Sequence, residues 1–285
     1  MTTIRSGDGR TLAVYESGDP AGLAVIAHHG TPGSGLLYDR WQTPGIRLIG
    51  YDRAGYGGSS RNPGRNVAAV VEDIATIADE LGLTRFATWG ISGGGPHALA
   101  CAGLFDDRLT AAASLAGVAP WGAEGLDWLA GMGEGNIEEF DLVLQGEEAL
   151  RPATERDRGQ ILDASAPEMA EVMESLLGDA DRAALRGPLG AFLHGQMQHG
   201  IAPSADGWID DDLAFVEPWG FDAGSIAQPV LVVHGGDDRF VPRSHGEWLA
   251  QRVPGAEAWI DDEHGHLTLL EHRVAEVHDW LLSHS

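Results

Sequence analysis

Lysine is absent from this 285-residue sequence, and all 18 of its basic residues are arginine. Chemistry that needs a lysine amine, as a Schiff base or as a general base, is therefore excluded. Positive charge is scarce as well, because 43 acidic residues bring the formal net charge to -25. A surface this acidic repels the phosphates of nucleic acids and of anionic membranes. We therefore expect neither a nucleic acid nor a membrane as a partner.

Cysteine and long apolar runs are also scarce. The single cysteine, Cys101, has no second cysteine with which to form an internal disulfide or a redox pair. No stretch approaches the roughly 18 uninterrupted apolar residues of a membrane span. The N-terminus lacks the basic stretch followed by an apolar block that marks a secretory signal. The sequence thus predicts a soluble, cytoplasmic protein.

The apolar residues that are present recur in short runs between glycine-rich turns. Runs this apolar are typical of strands that are buried on both faces, as in a parallel sheet. Helical periods lie between and after them, from Val67 to Leu81 behind Asn66 as a cap, and from Leu270 to Leu281. The alternation predicts an α/β fold, with a mostly parallel sheet and helices on both faces. The predicted strands are 23–30, 46–53, 85–92, 110–117 and 229–236.

The alternation is interrupted between residues 120 and 224. This segment has helix-like periods but no convincing strand, and it holds 22 Asp and Glu against 5 Arg. We interpret it as an inserted helical cap over the carboxyl edge of the sheet, where open α/β sheets bind their ligands. The predicted domains are therefore a core of 1–119 and 225–285 and a cap of 120–224.

A glycine-rich turn, "GISGGGP", follows the third predicted strand and places Ser92 between Gly90 and Gly94. The pattern Gly-x-Ser-x-Gly is weak evidence in a chain with 40 glycines, so its context decides. A serine nucleophile needs a strand, a sharp turn and a helix, and Pro96 is well suited to the first turn of such a helix. The alternatives are a glycine-rich strand-to-helix turn without chemistry and a phosphate-binding turn, although the lysine of a P-loop is missing.

A serine hydroxyl becomes a nucleophile when a base takes its proton and a carboxylate orients that base. Both partners should follow strands further along the chain. Asp237 and Asp238 come directly after a buried apolar run, and His264 and His266 come after the next strand. The residues alone leave the choice within each pair open.

The chain resembles the α/β-hydrolase superfamily over residues 24–117 and 229–283. Members commonly carry G-x-x-D-x-x-V-P after the sixth strand of the core, and "GGDDRFVP" fits when Gly235 is the first glycine. This register selects Asp238 as the catalytic acid. Members also carry Gly-His before the last helix, and "HGHLTLLE" selects His266 as the base. The resemblance implies an α/β-hydrolase fold with a cap.

The upstream loop "HHGTPGS" resembles the oxyanion loop of the same family. The resemblance implies that the backbone N–H groups of Thr31 and Gly93 form the oxyanion hole, with His29 and Gly30 supporting the loop. Two such donors, fixed before the reaction, stabilise a transition state by several kcal/mol, on the order of 3 for each.

These residues predict acyl transfer on Ser92, and the expected activity is hydrolysis of a small-molecule carboxylic ester or lactone. No metal ion or organic cofactor is expected. One alternative is an aminopeptidase of the proline iminopeptidase type, although this chain has "GTPG" where those enzymes tend to have "GGPG". Another is a non-hydrolytic lyase or a ligand receptor, since such family members keep the same three residues. The natural substrate and the oligomeric state have no signal in the sequence.

Overall fold

The computed structural model describes residues 1–105 and 107–285. Over these residues the chain forms an eight-stranded sheet in the spatial order β1-β2-β4-β3-β5-β6-β7-β8. The six strands from β3 to β8 pair in parallel, as the apolar runs predict. The strands are β1 Thr2–Arg5, β2 Thr11–Gly18, β3 Leu23–His28, β4 Ile46–Tyr51, β5 Phe86–Ile91, β6 Leu109–Leu115, β7 Val230–Gly235 and β8 Glu257–Asp261.

The first two strands are antiparallel, and the sequence reasoning did not predict them. In β1 only Ile4 is buried, and β2 alternates between half-buried and exposed positions in its second half. Continuous apolar runs are therefore missing from both strands. They extend the sheet at the edge next to β4, while the half-exposed β8 forms the other edge.

The helices that pack on the sheet agree with the predicted periods, with one correction. Asn66 caps a short 3-10 turn through its side chain, which accepts the N–H of Ala69 at 3.1 Å, and α1 follows. The C-terminal helix does not run unbroken from Leu270, because α10 ends before Arg273 and α11 begins after it. The Arg273 side chain pairs with Asp261 and Glu276, which holds the chain at this break. These helices are α1 Val70–Glu80, α2 Gly95–Leu104, α9 Arg243–Arg252, α10 Thr268–His272 and α11 Val274–Ser283.

The segment 120–224, called the helical segment below, lies between β6 and β7 in the chain. Every residue of this range is described, and none of them belongs to a strand, in keeping with the sequence interpretation. The domain boundaries at 120 and 224 stay a prediction. The α-helices of the segment are α3 Glu134–Val143, α4 Glu147–Asp163, α5 Ala166–Val172, α6 Asp179–Leu185, α7 Pro188–Ile201 and α8 Asp206–Val216.

The core is built on the central strands. Ile26 of β3, Ile49 of β4 and Phe86 and Trp89 of β5 are buried almost completely. Each such side chain contributes about 1.5–3 kcal/mol to folding, so the strand positions are strongly fixed. The loops that follow the carboxyl ends of these strands are thereby held at one edge of the sheet. Across residues 1–105 and 107–285, no helix is long and apolar enough to cross a membrane.

Candidate active site

Ser92 occupies a strained turn between β5 and α2. Its φ of 55° is in the left-handed region, which non-glycine residues rarely adopt. A Cβ on Gly90 would collide with the carbonyl of Gly94, so a larger residue does not fit at this crossing of strand and helix. The sharp turn leaves the Ser92 side chain half-exposed at the carboxyl edge of the sheet, where it lines a cavity.

His266 and Asp238 are hydrogen-bonded to each other after the last two strands. The Nδ1–H of His266 donates to Oδ2 of Asp238 at 2.7 Å. The other carboxylate oxygen accepts the backbone N–H groups of Phe240 at 2.9 Å and Val241 at 2.8 Å. Burial lowers the pKa of His266, but the charge and hydrogen bond of Asp238 outweigh it and raise the pKa above 6.5. The pair thus presents a neutral Nε2 as a base when the pH exceeds that pKa.

The neighbouring candidates from the sequence point elsewhere. Asp237 is half-exposed, and its carboxylate lies 3.8 Å from the guanidinium of Arg239. His264 is stacked on His272 with ring centroids 5.3 Å apart, and its Nε2 lies 3.6 Å from Asp261. The structure therefore brings Asp238 and His266 together, and neither Asp237 nor His264.

Ser92 and His266 line the same cavity. Among the hydrogen bonds of the described residues, His266 forms one through Nδ1 and one through its backbone N–H, and none joins its Nε2 to Ser92 Oγ. Such a contact is often long in a free enzyme and tightens when substrate is bound.

The loop after β3 carries three of the four remaining candidates, His29, Gly30 and Thr31, and the fourth, Gly93, follows Ser92. The Nδ1–H of His29 donates to the carbonyl of Gly30 at 2.7 Å, and its Nε2 accepts the backbone N–H of Arg53 at 3.1 Å. Burial and the charge of Arg53 hold the pKa of His29 well below 6.5, so the ring is neutral, as these two bonds require. Thr31 packs directly on Gly93, where a Cβ would collide with the threonine side chain. Thr31 and Gly93 both line the cavity beside Ser92.

The cavity has a volume of about 390 Å³, which is in the range of small-molecule sites. Its floor is formed by the residues that follow β3, β5 and β8, and its walls by side chains from the helical segment. Arg156, Gln160 and Val172 line both this cavity and a shallow groove on the surface at α4 and α5. Apolar side chains that line it include Trp41, Met132, Phe140, Met197, Trp208 and Phe215.

Comparison with known proteins identifies the family to which the chain belongs. Residues 24–273 match the alpha/beta hydrolase fold family. The chain belongs to this family. It is 28% identical over 260 residues to a non-heme chloroperoxidase of Streptomyces lividans, covering 85% of this chain and 84% of the relative. The family membership confirms the fold class and the resemblance noted from the sequence.

Solved structures of other alpha/beta hydrolases share the fold over nearly the whole chain. An esterase of Exiguobacterium antarcticum has a TM-score of 0.73 at 21% identity, covering 99% of each chain. An enol-lactonase of Burkholderia xenovorans LB400 has a TM-score of 0.70 at 18% identity, covering 99% of this chain and 100% of that one. At these identities the likeness establishes the fold.

Asp181 is a site residue of this alpha/beta hydrolase that sequence reasoning missed. It lies on α6, and its carboxylate accepts the backbone N–H groups of His266 at 2.8 Å, Leu267 at 2.8 Å and Thr268 at 3.1 Å. The loop that carries the imidazole is therefore anchored to the helical segment. Because 85 residues separate Asp181 from His266, no local pattern marks the contact.

Asp211 is a second residue that the sequence did not reveal. It lies on α8, is fully buried, and accepts the hydroxyl of Thr31 at 2.7 Å. Arg53 forms a buried ion pair with it, Arg65 lies 2.7 Å from Oδ1, and the Tyr56 hydroxyl donates at 2.9 Å. Burial alone would raise the pKa of Asp211, but the two arginines hold it well below its usual range. An acidic run in the helical segment thus supplies the charge that fixes the loop at Thr31.

In the part of the chain that the structure describes, no group of three or more His, Cys, Asp or Glu side chains has a geometry that could bind a metal. The histidines near the site serve in hydrogen bonds instead. His234 donates to the carbonyl of Val241 at 2.7 Å, and His245 donates to that of Trp128 at 2.8 Å.

Proposed function

We propose that this alpha/beta hydrolase is a serine hydrolase that cleaves a carboxylic ester or lactone through an acyl-enzyme on Ser92. The observation that carries the proposal is the strained turn of Ser92 in the same cavity as the His266–Asp238 pair. A nucleophile, a base and an orienting carboxylate are the three parts that acyl transfer needs.

In the first half of the reaction, Ser92 Oγ bonds to the carbonyl carbon while His266 Nε2 takes the hydroxyl proton. The negative charge that develops on the carbonyl oxygen is stabilised by the N–H groups of Thr31 and Gly93. The carbon–oxygen bond to the alcohol then breaks, and His266 gives its proton to the leaving alkoxide. Asp238 holds the imidazole in the tautomer with hydrogen on Nδ1 and balances its positive charge.

In the second half, His266 takes a proton from water, whose oxygen bonds to the acyl carbon. The bond to Ser92 Oγ breaks, and the proton returns to that oxygen. The products are a carboxylic acid and the free enzyme. This scheme uses no metal ion and no organic cofactor.

A panel of p-nitrophenyl esters of increasing chain length tests the proposal, with Ser92→Ala beside the wild type. We expect ester turnover in the wild type and a loss of about 10⁴-fold or more in kcat for Ser92→Ala. Ser175→Ala is the matched control, because Ser175 lines the same cavity and lies in the helical segment. Turnover that survives Ser92→Ala unchanged would contradict the nucleophile assignment.

The same panel separates the other functions considered. Release of p-nitroaniline from proline p-nitroanilide, without turnover of any ester, would support the aminopeptidase. Tight ligand binding without turnover of either kind would support a receptor or a lyase.

A second candidate is transfer of the acyl group to hydrogen peroxide. The observation that favours it is the similarity to a non-heme chloroperoxidase over most of the chain. In this reaction peroxide replaces water in the second half, and the product is a peroxy acid. Peroxy acid formed from an ester and hydrogen peroxide, faster than the ester is hydrolysed, would support this candidate.

A further inference from the structure

Four carboxyl side chains of the helical segment line the same cavity as Ser92 and His266, namely Glu138, Glu139, Asp157 and Asp212. Glu139 and Asp212 are the two that interact with each other. Glu139 lies on α3 and Asp212 lies on α8. Asp212 is only 3% exposed, and no hydrogen bond to its Oδ2 is found among the described residues. A buried carboxylate oxygen without a donor is costly and rare, so this atom needs a partner.

The residues beside Asp212 in sequence show the contrast. Asp211 is held by Arg53 and Arg65, and the Asp210 carboxylate accepts two bonds from Arg61 at 2.8 and 2.9 Å. For Glu139 and Asp212, by contrast, the described residues supply no ion pair within 4.0 Å. The three successive aspartates of α8 therefore have different surroundings. Asp210 and Asp211 each pair with arginine, whereas Asp212, which lines the cavity, has no ion-pair partner within 4.0 Å among the described residues.

Glu139 and Asp212 are close enough to interact with each other, and the Trp208 indole lies beside Glu139. Burial raises the pKa of Glu139 to about 7 and the pKa of Asp212 well above its usual range. The surrounding charges act in both directions: Asp211 disfavours the ionised form of Asp212 and Asp157 that of Glu139, whereas Arg65 favours the ionised form of Asp212. Two neighbouring carboxyl groups without a cation resist being ionised together, so a positively charged group bound between them would be favoured.

We propose that Glu139 and Asp212 form a subsite for a protonated amino group of the substrate. This proposal rests on the acyl-transfer function proposed above and adds the substrate class, an ester or lactone that carries an amine. An ammonium group has three donors and a positive charge, whereas a hydroxyl group donates once and has no charge. On binding, it donates to Glu139 and to the free oxygen of Asp212, and a proton held by either carboxyl group leaves to solvent.

The lining of the cavity indicates the rest of such a substrate. The cavity that contains the carboxyl pair and Ser92 is lined largely by apolar side chains, among them Phe140, Trp208 and Phe215. A short alkyl chain fits this lining, with the amine at one end and the ester group at the other. The volume of about 390 Å³ suits a substrate of small or medium size.

Matched esters test the proposal. The probes are methyl esters of ω-amino acids, each compared with the ω-hydroxy ester and the alkyl ester of the same length. ω-Aminoalkyl acetates place the amine on the alcohol side instead. We expect kcat/KM to be higher for one amino series than for its neutral counterparts, by about tenfold to a hundredfold, as for a hydrogen bond to a charged group.

The variants test which residues cause this preference. In Glu139→Gln and in Asp212→Asn the ratio of kcat/KM between amino and neutral esters should fall to near one. Asp141→Asn, an exposed change on the same helix α3, should keep the wild-type ratio.

Calorimetric titration of Ser92→Ala with the same probes keeps the subsite testable if no ester is turned over. Tighter binding of the amino ester than of the hydroxy ester, lost when Glu139→Gln is added, would support the subsite. Equal binding or turnover of the amino and hydroxy esters would overturn it, as would an amino preference that both variants retain. Cleavage of alkyl esters without any amino preference would overturn the subsite and leave the proposed function in place. Preferential binding of the amino ester without cleavage of any ester would support the subsite and contradict the proposed function.

Discussion

The buried carboxylate of Asp211 gives the sharpest prediction from the structure. Asp211→Asn keeps the shape of the side chain and removes the charge that holds Arg53 and Arg65. Removing one partner of a buried ion pair typically costs about 3–5 kcal/mol. For 285 residues the entropy of unfolding is about 0.6 kcal/mol per degree, so the melting temperature should fall by roughly 5–8 °C.

The same substitution should slow catalysis. Thr31 loses a charged acceptor for its hydroxyl, and Arg53, which donates to the carbonyl of His29 at 2.8 Å, loses its counter-charge. The N–H of Thr31, which we propose as a donor to the oxyanion, is then less well directed. Full loss of one such donor costs about 10²–10³ in kcat, so we expect a fall of tenfold to a hundredfold with little change in KM.

Thermal unfolding and steady-state hydrolysis of a p-nitrophenyl ester measure the two effects. Asp210→Asn is the matched control, since its partner Arg61 is partly exposed, and it should lower stability less and leave kcat unchanged. Thr31→Val removes only the hydroxyl and should lower kcat even if Asp211→Asn folds poorly. A folded Asp211→Asn enzyme with wild-type kcat would refute the positioning argument, and an unchanged melting temperature would refute the energetic one.

Three further predictions concern the base and the carboxyl pair. The acid limb of the pH profile of kcat/KM should reflect a pKa above 6.5, because activity is lost when His266 becomes protonated as the pH falls. Asp238→Asn should move this limb to lower pH and reduce kcat by up to about 10⁴-fold. An acid limb that Asp238→Asn leaves in place would argue against the pair. Asp181→Asn should lower kcat about tenfold, because the catalytic base is displaced. It should also shift the acid limb to lower pH, because the charge of Asp181 favours protonated His266. A loss of stability with an unshifted acid limb would mean that Asp181 has a structural role alone. Finally, the pKa of Glu139 rises on folding from 4.5 to about 7, so its stabilising contribution is present below pH 4.5 and is lost as the pH rises through 7. The melting temperature of Glu139→Gln relative to wild type should therefore increase across this interval, and a constant difference would contradict the raised pKa.

The sequence predicts those parts of the molecule that have a local signal. Ser92, Asp238 and His266 each follow a strand, and each lies in a short motif whose spacing is visible without the structure. The central parallel strands are predicted for the same reason, since strands that are buried on both faces are continuously apolar. The antiparallel β1 and β2 have no such run and were missed.

The contacts between the helical segment and the core could not be predicted. Asp181 and Asp211 act on residues 85 and 180 positions away, and in the sequence they are two acids among many in an acidic stretch. Their partners are decided by how the helices pack on the sheet. The same holds for Glu139 and Asp212, which come from two separate helices and meet only at the cavity.

The central claim is a covalent acyl-enzyme on Ser92, and intact mass spectrometry tests it most directly. Enzyme mixed with p-nitrophenyl acetate and quenched in acid during turnover should gain the mass of one acetyl group, and peptide mapping should place that group on Ser92. The adduct should be absent from Ser92→Ala. An acetyl group mapped to another residue, or burst release of p-nitrophenol that Ser92→Ala retains, would contradict the account.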